Sequence, residues 1–242
     1  MTEPTDDRPR FHGRRHGKPL RPHRADLVAG LLPRLRLDLA AAADPAAAFA
    51  PRAEDVWLEI GFGAGEHLAA QAAAHPRVGF IGCEPFVNGV GALLSRIEAA
   101  GLDNIRILDD DARHLLPALG EATIGRAFAL FADPWPKRRH HKRRLVQPRF
   151  LDDLARVLRD GAEFRVASDH MDLVRWTLDQ ATRHPAFRWT ATGPADWRQR
   201  PADGFETRYE AKARARGAAC VYLTFRRRPR AAAPGAGGEK GL

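Results

Sequence analysis

"LEIGFGAGEHLA", residues 58–69, decides how this chain folds. It begins inside an apolar run, "VWLEIG" at 56–61, broken by a single acid, Glu59. It ends in "EHLAAQAAAH", whose apolar residues recur at helical spacing. Between the two stand Gly61, Gly63 and Gly65, spaced G-x-G-x-G. The reading is strand, glycine turn, helix. Glycine lets the backbone turn tightly and approach a ligand with no Cβ in the way. Many such loops are only turns, so the neighbours must decide what this one holds.

Outward from the loop the alternation continues. "VGFIGCEP" (78–85) reads as the second strand and "VNGVGALLSRIEAAG" as a helix stopped by Gly101. "NIRILDDDA" holds a third strand and "RAFALFADP" (126–134) a fourth. "PRFLDDLARVLRDG" reads as a helix ended by Gly161, "AEFRVASD" as a fifth strand and "DLVRWTLDQATRH" as a helix. "AACVYLTFRRR" closes with a sixth or seventh strand. Strands alternating with helices predict an α/β fold: a doubly wound, mostly parallel sheet with helices on both faces. Such sheets bind ligands at the carboxyl ends of their strands, near the switch point. Ahead of this region, "ADLVAGLLPRLRLDLA" carries leucines near helical spacing, interrupted by Pro33.

The ends differ from the middle. Residues 1–24 are basic and rich in Pro and Gly, which predicts a flexible arm. Residues 25–226 read as one domain with its core at about 50–225, and 227–242 as a disordered low-complexity tail. A length of 242 residues suits one sizeable core. No apolar run is long enough to span a bilayer, and the charged N-terminus lacks a secretory core, so a cytoplasmic protein is expected. Cys83 and Cys220 stand apart, with no Cys/His spacing for zinc, and no metal is expected. The net charge of +9 favours a polyanionic partner, nucleic acid or an anionic membrane.

Three acids suggest the ligand of the glycine loop. Glu59 lies near the end of an apolar strand, where a charge is costly unless something pairs with it. It would repel the pyrophosphate of a dinucleotide, whereas the ammonium group of S-adenosyl-L-methionine would suit it. Glu84, about 20 residues past the loop, is placed to meet ribose hydroxyls. Asp111 is placed to meet an adenine amino group, with Asp109 and Asp110 read as solvated loop acids. Asp133 ends the fourth strand at the same edge, facing the transferable methyl. Pro134, Trp135 and Pro136 follow; the tryptophan reads equally as a platform for a base or as packing under the loop. Lys137, Arg138, Arg139, Lys142, Arg143 and Arg144 then crowd together, and beside a proposed catalytic edge they point to phosphate contact.

"DPWPKRRHHKRR" closely resembles the signature of bacterial tRNA (guanine-N7-)-methyltransferases, and Thr207, Arg208, Tyr209 and Glu210 in "ETRYEAKARARG" match a second motif of that family. "LEIGFGAGEH", "GCEPF" and "ASDH" fall in the family's order, and the resemblance covers roughly residues 50–225. Ser168 stands before Asp169 where the family often has Thr. The resemblance implies a Rossmann-like, seven-stranded class I methyltransferase using S-adenosyl-L-methionine. Its substrate would be guanosine 46 in the variable loop of tRNA. It implies cofactor contacts at Glu59, Gly61, Gly63, Gly65, Glu84, Asp111 and Asp133, with Asp133 also catalytic. It implies substrate contacts at Lys137, Asp169, Thr207, Arg208, Tyr209 and Glu210. RNA contacts fall at Arg139, His140, His141, Lys142, Arg143 and Arg144. Two residues keep plainer readings beside these: Asp169 as a helix N-cap and Glu210 as a solvated helical acid. A monomer is expected, with a homodimer as the alternative. The rival functions are methylation of another base or of protein, a dehydrogenase, and a non-catalytic tRNA-binding protein.

Overall fold

The structure is a computed structural model in which residues 11–231 are described; the outer parts of the expected arm and tail, 1–10 and 232–242, lie outside the described residues. Two short helices, α1 (Pro22–Gly30) and α2 (Leu32–Leu35), precede the sheet. There follow β1 (Asp55–Ile60), α3 (Glu66–Ala74), β2 (Val78–Cys83), α4 (Val87–Ala100), β3 (Ile105–Leu108) and α5 (Ala112–Leu115). The second half holds β4 (Ile124–Leu130), α6 (Pro148–Val157), β5 (Leu158–Ser168), α7 (Met171–Arg183) and β6 (Phe187–Trp189). It closes with α8 (Ala195–Arg198), α9 (Arg208–Ala215) and β7 (Val221–Arg227).

The strand order is β3-β2-β1-β4-β5-β7-β6, and β7 runs antiparallel to both its neighbours. The chain walks outward from β1 to β3, then returns to lay β4 against β1. That reversal opens a crevice beyond the carboxyl ends of β1 and β4, where the glycine loop and Asp133 both lie.

The period of two along β1 sorts its side chains. Val56, Leu58 and Ile60 enter the core layer that contains Phe150, Leu151 and Leu154 of α6 and Val174 of α7. Trp57 faces the opposite layer, with Phe80, Phe128, Leu93 and Leu94, covered by Leu27, Leu32 and Leu35 of α1 and α2. Glu59 therefore shares the Trp57 face and points toward α3.

Four boundaries depart from the sequence reading. Helix α6 stops at Val157, where Leu158 takes an extended conformation, and Gly161 is a left-handed bend (φ +79°) inside β5. The β4–β5 register shifts between Ile124 and Arg126, which absorbs that bend. β6 has three residues, too few for any period to announce it. Residues 11–21 are non-helical but are held in place. The Asn88 amide accepts from Gly17 N (2.8 Å) and donates to Lys18 O (2.7 Å), and Val87 N donates to Arg15 O (3.0 Å). An amide side chain can serve as donor and acceptor at once, so it satisfies a strand that has no ladder of its own. At the other end, β7 includes Arg227, and the Arg230 guanidinium donates to Arg156 O (2.7 Å) and Leu158 O (3.0 Å). Order thus runs past the expected start of the tail. Among the described residues no helix is long and apolar enough to cross a membrane.

Candidate active site at the switch point

Gly61, Gly63 and Gly65 all take positive φ (+73°, +57° and +75°), a conformation that strains any residue with a Cβ. Their loop, the end of β2 and the turn after β4 wall a cleft of about 410 Å³ that opens to solvent. Gly61, Gly63, Glu84, Asp111, Asp133 and Tyr209 line it together. A Cβ on Gly63 would lie 3.0 Å from the Tyr209 ring, so the second glycine is also the seat of that tyrosine.

Glu84 holds the loop. Its Oε2 accepts from Gly63 N (2.8 Å) and its Oε1 from Phe86 N (2.9 Å). Burial pushes its carboxyl above the ordinary range despite these hydrogen bonds, and the charge of Asp133 adds to the rise. Asp111 caps α5 and is paired with its own helix: Oδ1 accepts from Arg113 N (2.9 Å) and Oδ2 from the Arg113 guanidinium (2.6 Å). Asp133 differs from both. It has no hydrogen-bond or ion-pair partner among the described residues; the residue is exposed to solvent, and partial desolvation by the neighbouring walls raises its pKa. The backbone on either side is left-handed at non-glycine residues, Phe131 (φ +54°) and Trp135 (φ +43°). Such strain persists only where surrounding contacts impose it. Here Phe131 N donates to Ala167 O (2.7 Å), and Pro134 O accepts from Arg144 Nε (3.0 Å).

Glu59 is not in the cleft. It is 3 % exposed, and its Oε2 meets His67 Nδ1 at 2.8 Å. The cause is the β1 alternation described above: Glu59 faces α3, and His67 is the second residue of α3. The pairing partner that a buried acid requires is thus a histidine, and Glu59 is not among the residues that line the cleft. His67 was legible only as the last letter of "GAGEH" and was not singled out.

The expected substrate residues divide in two. Arg208 and Tyr209 are at the cleft, with the guanidinium 5.0 Å over the tyrosine ring. Thr207 caps α9 by accepting from Glu210 N (3.1 Å), and Glu210 is 1 % exposed. Its Oε1 accepts from the Tyr222 hydroxyl (2.5 Å), and Arg214 and Arg200 lie at 3.2 and 3.6 Å. Burial and this carboxylate push the Tyr222 hydroxyl up to about 12. Glu210 is therefore neither a solvated acid nor a lining residue of the main cleft. It and Thr207 line a smaller neighbouring cavity, which touches the main cleft at Phe131. Asp169 is paired with Arg216 (2.7 Å), and the N-cap of α7 is His170.

The basic run also divides. Residues 138–143 form a 3-10 turn that leaves Lys137, Arg138, Arg139 and Lys142 exposed. His140 and Arg143 pack on Trp135 (5.9 and 5.1 Å), and Trp135 and Arg143 line the cleft. Trp135 is thus a strut whose ring also walls the site. His141 lies edge-on to Trp176 (5.6 Å). Arg144 is corrected outright: it is 1 % exposed, pairs with Asp172, and lies 5.2 Å over Trp176. It faces the protein and not a phosphate.

S-adenosyl-L-methionine fits this cleft. A cationic ligand relieves two carboxylates whose charged forms are disfavoured, the glycine cradle admits close backbone approach, and Glu84 and Asp111 end adjacent strands. Among the described residues no cluster of three or more His, Cys, Asp or Glu is arranged to hold a metal ion. The tightest steric constraint comes from a glycine outside the loop. A Cβ on Gly89 of α4 would stand 2.2 Å from Gly63 O. Gly89→Ala should cost about 1–3 kcal/mol of stability by overpacking and weaken S-adenosylhomocysteine binding roughly tenfold, read by thermal unfolding and calorimetry. Unchanged affinity would show that the loop adjusts without loss.

A methyltransferase family, Methyltransf_4, described as "Putative methyltransferase", matches residues 53–223. The tRNA (guanine-N(7)-)-methyltransferase of Rhodospirillum rubrum is 59% identical over 96% of this chain and 93% of its own length. The protein of the same name from Ruegeria pomeroyi is 49% identical, over 94% and 99% respectively. Among solved structures, the 16S rRNA methyltransferase KamB matches with a TM-score of 0.51 at 19% identity, covering 74% of this chain and 90% of its own. That likeness concerns the fold. The sequence relationships, over nearly the whole length of both partners, go further: the chain belongs to the tRNA (guanine-N(7)-)-methyltransferase family.

Proposed function

We propose that the chain transfers a methyl group from S-adenosyl-L-methionine to N7 of guanosine 46 in the tRNA variable loop, as a cytoplasmic monomer. The observation that carries this reading is Asp133, an unpartnered carboxylate of raised pKa on a strained turn, with exposed cations four to nine residues beyond it.

When bound, the cofactor supplies an activated methyl group on a sulfonium. Guanine N7 has an in-plane lone pair and no proton, so no side chain has to act as a base. The base becomes cationic as it is methylated, and a fixed carboxylate at the edge of the cleft stabilises that charge. Asp133 has that role; accepting from the N1–H and amino group on the opposite edge of guanine, a donor pattern adenine lacks, falls to a second carboxylate, Asp169 or Glu210. Glu84 and Asp111 bind the nucleoside half of the cofactor. Glu59 with His67 supports the loop from behind, and Glu210 with Tyr222, Arg200 and Arg214 fixes the α9 end of the site. Lys137, Arg138, Arg139 and Lys142 hold the phosphates that flank the guanosine.

The test is incubation with a tRNA transcript and labelled S-adenosyl-L-methionine, followed by borohydride and aniline cleavage at N7-methylguanosine. Cleavage at the variable-loop guanosine is expected. Methyl incorporation with no cleavage there would overturn the site assignment.

A further inference from the structure

The geometry points to residues 11–18 as part of the cofactor site, with the Phe11 ring as the cover of the adenine. This rests on the chain's use of S-adenosyl-L-methionine. Phe11, His12, Gly13 and Arg14 line the same cleft as Glu84, Asp111 and Asp133.

The segment is held where it is. Arg15 reaches Asp110 (2.6 Å), the residue before Asp111, and its guanidinium lies 5.3 Å over the Phe11 ring. The ring is thereby tied to the β3 end of the cleft, the end at which Asp111 stands. A Cβ on Gly13 would lie 2.3 Å from the tip of the Phe11 ring, so the ring rests on a glycine backbone. The other anchor is the turn before α4. Asn88 makes its two hydrogen bonds to Gly17 and Lys18 there, and a Cβ on Gly17 would stand 2.8 Å from both Asn88 and Phe86. Phe86 N is also a donor to Glu84. The strap and the nucleoside-binding acid therefore share one turn. A flat heteroaromatic base beside a held, half-buried phenyl ring is the arrangement that stacking favours, and a basic segment that closes over it screens the acids of the cleft.

The test is calorimetric titration of the full chain with S-adenosylhomocysteine. Phe11→Ala and Phe11→Leu should each bind roughly tenfold more weakly than the wild type. Phe11→Trp should stay within about twofold, because it restores a ring to stack. Asn88→Ala should weaken binding in the same direction by releasing the strap. Wild-type affinity in Phe11→Ala overturns the inference, and wild-type affinity in Phe11→Leu overturns the stacking. A wild-type chain that binds no S-adenosylhomocysteine would instead count against the cofactor assignment itself.

Discussion

Replacing Asp133 by Asn lowers kcat for tRNA methylation by about 10²–10³, the usual loss when one aimed electrostatic group is removed, and raises the melting temperature at neutral pH only slightly, because the residue is exposed and solvent screens its charge. The two effects have one origin. Asp133 is held without a partner on a left-handed turn, in surroundings that raise its pKa by desolvation. A carboxyl whose folded pKa lies above its unfolded value contributes stability that is present below the unfolded pKa and lost as pH rises through the folded one. At pH 7 the wild type has suffered that loss, whereas the uncharged amide has not. The stability advantage of Asp133→Asn should therefore shrink as pH is taken down toward about 4, the ordinary aspartate range. The same shift places the acid limb of the wild-type kcat/KM profile for S-adenosyl-L-methionine, which reports the ligand-free protein, above that range, and the limb should vanish in the variant. Single-turnover methylation and thermal unfolding across pH decide it. Near-normal turnover in Asp133→Asn would remove the carboxylate from the chemistry.

The parts of this site that could be read in the sequence are those set by backbone. Three glycines in G-x-G-x-G spacing, and acids at the ends of successive apolar runs, state where the chain turns and which side chains reach the strand ends. The alternation of elements predicts the doubly wound, mostly parallel sheet, but neither the strand order nor the antiparallel β7. What sequence could not show is which way a charged side chain turns once several partners compete for it. Glu59 looked like a ligand-facing acid because its partner, His67, lies eight residues away on the next helix. Glu210 looked exposed because Tyr222 and Arg200 reach it from the segments on either side of α9. The N-terminal segment looked free because the side chain that holds it, Asn88, is some seventy residues away. Each of these is a polar contact between separate elements, and no periodicity encodes one.

Arg144 poses the same problem in a form that experiment can separate cleanly from its neighbours. Six cations in eight positions look alike in sequence, yet Arg144 is buried and its charge is spent on Asp172 and the carbonyl of Pro134. Removing it leaves that carbonyl without its donor and opens a space against Trp176. Arg144→Ala should therefore destabilise the fold by about 2–4 kcal/mol; Asp172 remains half in water, which keeps the cost below that of a fully buried orphan charge. Pro134 follows Asp133, so kcat should fall as well if Asp133 has the proposed role, because the turn that carries it loses an anchor. Arg139 and Lys142, by contrast, are exposed. The pair Arg139→Ala with Lys142→Ala should leave the unfolding midpoint unchanged, raise KM for tRNA, and reduce the slope of log affinity against log salt by about one per residue removed. Chemical denaturation and salt-dependent tRNA binding of the two variants make the comparison. An Arg144→Ala protein as stable as the wild type, with a reduced salt slope, would return that arginine to the phosphate-binding face; an unchanged slope in the double variant would remove the exposed cations from it.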